Sequence, residues 1–142
     1  MPITKDDARA LYDMMKKGMA QLTEEQNAKN AELRKAFMTD ENAKKEMMEE
    51  MQATFTAADT NNDGLLDLAE FKDFRSKSEA NNTARGGFNP TMSEEDIEAA
   101  YNIHNSGNPD KDGVALADIF ANMGVMMATA KEEGWEMWAN QV

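Results

Sequence analysis

Asp59-Thr60-Asn61-Asn62-Asp63-Gly64-Leu65-Leu66-Asp67-Leu68-Ala69-Glu70 carries the most specific pattern in the chain. Oxygen-bearing side chains stand at its first, third, fifth, ninth and twelfth positions, and a glycine stands at the sixth. Gly64 lacks a Cβ and tolerates positive φ, so the backbone can turn sharply there and bring alternate side chains to one side. The flanks are apolar at helical spacing: Phe55 lies one turn before Asp59, and Leu68, Phe71 and Phe74 recur after the turn. The pattern predicts helix, loop, helix, with both helices having a face to bury. Leu66 points away from the inward-facing oxygens and is predicted to make a short β-contact with a second loop.

Over residues 47–77 this pattern resembles the EF-hand, calmodulin-like family of calcium-binding proteins. The resemblance implies one Ca2+ held by the side chains of Asp59, Asn61 and Asp63 and the backbone carbonyl of Leu65. Asp67 would contribute directly or through water, and Glu70 would supply both carboxylate oxygens. The alternative is a polar Asx turn rich in aspartate that holds no ion.

Toward the C-terminus, Ser93-Glu94-Glu95-Asp96 opens a helix in capping-box style, continued by Ile97, Ala100 and Tyr101. The segment 105–118 resembles a second such loop without matching it. With Gly113 as the turn glycine, Asn108, Asp110 and Asp112 take the first, third and fifth positions, but the twelfth is Ile119, which cannot ligate. With Asp118 as the closing acid the glycine is out of step, and Asp118 is one methylene shorter than glutamate. Asn108, Asp110, Asp112 and Asp118 are therefore expected to form a structural partner loop with weak or absent ion binding, its Val114 pairing with Leu66. A final helix begins near Ala115 with a wide apolar face that includes Ile119, Phe120, Met123, Met126 and Met127, and Trp135 and Trp138 lie beyond it three apart. The tryptophans either cap the core or form a greasy tail for a groove or a partner. His104 stands without convergent acids or a nucleophile and is read as incidental.

Toward the N-terminus, residues 4–22 predict an amphipathic helix opened by Thr4 with Asp7, its stripe formed by Leu11, Met15, Met19 and Leu22. It docks either on the rest of this chain or on a partner. Thr23 and Gln26 open a second helix with Leu33, Ala36 and Phe37 as apolar contacts. This opening is similar to that of calmodulin-type proteins, yet residues 38–45 contain no glycine and two lysines, so no ion loop follows. Residues 1–39 are thus either a decayed repeat or an unrelated helical arm. A third helix from Asp40 or Glu41 to Ala58 carries Met47, Met48 and Met51. Residues 40–142 are expected to form the paired domain, with the helix after the loop fading between Ser78 and Asn82 and a Gly/Asn-rich connector over about 78–92.

The 142 residues allow one compact domain or two very small ones. A net charge of −12 repels nucleic acid and anionic membrane and attracts cations and basic partners. No cysteine is present, which excludes disulfides, thiolate zinc sites and cysteine nucleophiles. No apolar run reads as a membrane span or secretory leader, Pro2 occupies the place of a myristoylated glycine, and no prenylation cysteine closes the chain. The expectation is an intracellular protein, cytoplasmic or cytoskeleton-associated. No phosphate-cradling glycine loop or nucleophile–base pair suggests an enzyme.

Thirteen methionines suit a surface that re-packs around targets, although most would fill core. The fold expected is all-α: an EF-hand pair with extra N-terminal helices and a short two-stranded bridge between loops. The function expected is a calcium sensor that engages a basic or amphipathic partner helix through Met47, Met51, Phe74, Met123, Met127, Trp135 and Trp138. The alternative is a structural subunit of a larger assembly in which the ion only stabilises or is absent.

Overall fold

The computed structural model describes residues 3–106 and 113–135. Within them the chain is all-helical, in the order α1 (Lys5–Met19), α2 (Glu24–Thr39), α3 (Glu41–Ala58), α4 (Leu68–Ala84), α5 (Glu94–Asn105) and α6 (Leu116–Glu133). Local side chains set the helix starts by satisfying the backbone N–H groups that the first turn leaves unpaired. Thr4 Oγ1 accepts from Asp7 N at 3.1 Å and Thr23 Oγ1 from Gln26 N at 3.1 Å, with Asp7 and Gln26 accepting reciprocally from the threonine N–H groups. Asp40 caps α3 and Ser93 caps α5.

The helices pack α2 on α3, α3 on α4, α4 on α5, α5 on α6, and α1 against both α5 and α6. The amphipathic stripe of α1 is therefore covered within this chain: Ala8 and Leu11 are buried, and Met14 and Met15 pack against the core. Lys5 pairs with Glu132 at 2.7 Å and Arg9 with Glu133, tying α1 to the end of α6. Among the described residues no helix is long and apolar enough to cross a membrane.

The core gathers Phe55, Phe71, Phe74, Ile119 and Met126 around Leu66 and Val114, which are both completely inaccessible. Phe55 meets Phe74 edge-on at 6.1 Å, the arrangement that the aromatic quadrupole favours. Phe74, expected among the partner-binding residues, is 7 % exposed and packs in the core between α3 and α4. No strand forms among the described residues. Instead Leu66 and Val114 make an isolated antiparallel pair, exchanging N–H···O bonds of 2.9 and 3.0 Å.

Gly113 makes this approach possible. A Cβ there would lie 2.8 Å from Leu65 Cβ and 3.0 Å from the Leu66 carbonyl, at a φ of +152°. Gly113→Ala is expected to cost about 1–3 kcal/mol in urea denaturation. Gly124→Ala on α6, where an added Cβ meets nothing, is expected to leave stability unchanged or slightly raised. Equal midpoints for the two variants would contradict this account of the bridge.

Two features differ from expectation. α4 continues to Ala84 and does not fade between Ser78 and Asn82. The residues that follow it are held by side-chain amides acting as backbone surrogates. Asn30 exchanges two 2.9 Å hydrogen bonds with the backbone of Phe88, and Gln21 exchanges two of 2.8 Å with that of Thr91.

His104 is structural and not incidental. Asn122, 1 % exposed, accepts from Ile3 N through Oδ1 at 3.1 Å, which turns its Nδ2 toward His104 Nδ1 at 2.9 Å. An amide N–H can only donate, so Nδ1 must be unprotonated and the imidazole neutral. Burial foremost, then the charge of Arg75, push the His104 pKa from 6.5 down to about 4, with Asp118 opposing. The unfolded chain therefore takes up a proton that the folded chain refuses. Stability is complete above pH 6.5 and falls as the pH drops from 6.5 toward 4. Urea midpoints should decline over that window, and His104→Gln should flatten the decline; an identical slope in the variant would refute the assignment.

Candidate metal centre

The loop between α3 and α4 is built by its own side chains. Asp59, 6 % exposed, receives Asp63 N on Oδ1 at 3.3 Å and Gly64 N on Oδ2 at 2.9 Å. Asp63 Oδ1 receives Leu65 N at 3.0 Å, and Asp63 Oδ2 receives Asn61 Nδ2 at 3.2 Å. Gly64 takes a φ of +80° at the turn. These short-range bonds fold residues 59–65 into a coil whose polar atoms face one another.

Glu70 closes it from the first turn of α4. Its Oε2 receives the N–H and hydroxyl of Thr60 at 2.8 and 3.1 Å, and its Oε1 receives Asp67 N at 3.0 Å. These donors, the Asp67 N–H foremost, hold the carboxyl below the usual carboxylate range although burial works the other way. Glu70 is 8 % exposed and ionised, across the loop from Asp59.

One carboxylate oxygen each from Asp59, Asp63 and Glu70 lie within 4.8 Å of one another. At an effective dielectric of about 20, each like-charged pair at that separation costs on the order of 3 kcal/mol. A cation among them would reverse the sign. The residues fit a hard divalent ion on three grounds. The donor set is entirely oxygen. Two oxygens each at about 2.3–2.6 Å from a calcium ion, at less than a straight angle, come within the 4.8 Å limit. Two of the three acids are also nearly sealed from water, unlike an ordinary solvated cluster.

Of the six ligands expected from sequence, the structure brings Asp59, Asp63 and Glu70 together and places Asn61 in contact with Asp63. Asp67 lies outside the carboxylate trio: its Oδ1 receives Glu70 N at 2.8 Å, so the side chain caps α4. Of the second set, Asn108, Asp110 and Asp112 lie outside the described residues. Asp118 receives Ala115 N at 3.0 Å and closes the first turn of α6. Thr60, which steadies Glu70, has no place in the ligand spacing and was not singled out by sequence; a hydroxyl one residue after the first acid was the available signal.

The residues expected to meet a partner divide. Met47, Met51 and Met123 line one cavity of about 410 Å³ with Leu33 and Phe37. Met127 is half-buried on α6 and belongs to neither that cavity nor the core cluster. Trp135 packs against the core and stacks on Tyr12 of α1, centroids 4.3 Å apart and planes 7° from parallel. Trp138 lies outside the described residues.

Comparison with known protein families, curated proteins and solved structures returned no match to this chain.

Proposed function

We propose that the chain is a calcium-binding regulatory protein of the EF-hand kind, with one working loop at residues 59–70 and a partner loop joined to it through Leu66 and Val114. The observation that carries this reading is the convergence of Asp59, Asp63 and Glu70 from the two ends of a short loop between two helices. Glu70 belongs to α4, whereas Asp59 ends α3. An ion that draws the two together couples its own binding to the angle between those helices. The oxygens of Glu70 already have donors in Thr60 and Asp67, so the ion competes with those bonds and any gain is a difference. The cavity lined by Leu33, Phe37, Met47, Met51 and Met123 is the apolar surface that an amphipathic target helix would use, and the net charge favours a basic one.

The covering of α1 by α5 and α6 favours a second reading, in which the ion stabilises a strut and opens nothing. Fluorescence of a hydrophobic dye, with and without calcium, separates them. A regulator exposes apolar surface and raises the signal; a strut leaves it unchanged while its melting temperature still rises.

A further inference from the structure

A second cavity, of about 740 Å³, lies among α1, α4, α5 and α6 and is bounded by residues 89–93. It falls within the range of roughly 300–1,000 Å³ typical of small-ligand sites. Five methionines stand on its wall: Met14 and Met15 from α1, Met92 from the segment before α5, and Met123 and Met126 from α6. Such side chains mould to an unbranched apolar chain.

One cation on this wall is incompletely satisfied. Arg75 Nε is sealed from water without a hydrogen-bond partner, and Arg75 Nη2 stands 3.8 Å from Glu79 Oε1, beyond hydrogen-bond reach. Lys17, also on the wall, is already tied to Asp96 at 3.0 Å. The Arg75 side chain as a whole is 31 % exposed and stands on this wall, and an anionic group would give its guanidinium the close acceptor that Glu79 at 3.8 Å does not. Glu79 and Asp96 stand on the same wall and repel a doubly charged phosphate more than a single carboxylate.

We propose that this cavity binds a single-chain amphiphile with a carboxylate head, of the medium-chain fatty-acid class, the head accepting from the Arg75 guanidinium and the chain lying along the methionines. The site is separate from the calcium loop, and this inference stands whether or not the loop binds an ion.

The test is calorimetric titration of the full chain, without calcium, by dodecanoate below its micellar concentration and in parallel by dodecanol. One saturable dodecanoate site per chain is expected, with dodecanol at least tenfold weaker. Arg75→Met should weaken dodecanoate at least tenfold and leave dodecanol unchanged. Met15→Trp, which fills the cavity, should weaken both. Absence of saturable dodecanoate binding by the wild-type chain, or equal affinity for acid and alcohol, overturns the proposal even if neither variant folds. Flotation with phosphatidylglycerol vesicles should leave the protein unbound. Co-flotation that Arg75→Met abolishes would assign the site to a membrane headgroup and overturn the free-carboxylate reading.

Discussion

Glu70→Gln is expected to lower calcium affinity by about 100-fold, a loss near 2.8 kcal/mol, measured by calorimetry on ion-stripped protein. The substitution keeps the shape of the side chain and one acceptor oxygen, so the bonds from Thr60 and Asp67 can in part persist. It removes the charge, and with it one of the three carboxylates that converge within 4.8 Å. Charge-assisted contacts are worth roughly 1.5–3 kcal/mol each, and a bidentate glutamate supplies two. Asp118→Ala removes an acid that caps α6 and is expected to change calcium affinity little. If the two variants bound calcium alike, the ion would not be held where the oxygens converge.

Phe71→Ala is expected to destabilise the chain by about 3–5 kcal/mol, the usual cost of deleting a buried aromatic ring. Phe71 is 3 % exposed, meets Tyr101 edge-on at 5.6 Å and lies 6.0 Å from the His104 ring. It follows Glu70 directly, so it fixes the turn of α4 that carries the ligand to the core shared with α5. With a total stability on the order of 5–15 kcal/mol, such a loss lowers the thermal midpoint by ten degrees or more. Calcium at 100 times its dissociation constant should restore about 2.7 kcal/mol. Thermal melts with and without the ion check both halves. A variant that melts like wild type would show that Phe71 does not anchor α4.

The parts of this structure legible in the sequence are those whose cause is local. Thr4 with Asp7, Thr23 with Gln26, and Ser93 each satisfy N–H groups within the next turn, so the helix starts could be read directly. The approach of Asp59, Asp63 and Glu70 was legible for the same reason, because the loop is short and its hydrogen bonds run between neighbours.

Where the cause is distant, composition misled. Asn81, Asn82 and Asn89 read as loop formers, but their amides find partners: Thr54 Oγ1 for Asn81, Asn89 Oδ1 for Asn82, and the Glu79 carbonyl for Asn89. Those bonds let α4 run on to Ala84. Phe74 has the same spacing signal as a groove residue and a core residue, and only the position of Phe55 decides between them. The Ile3–Asn122–His104 chain ties the segment before α1 to α6 and α5, and no periodicity announces it.

Whether residues 59–70 hold an ion is decided by equilibrium dialysis of the ion-stripped chain against calcium. Saturable uptake of one ion per chain is expected of the wild-type protein, lost in Glu70→Gln at the same free calcium. No saturable uptake, or uptake that Glu70→Gln leaves intact, would contradict it.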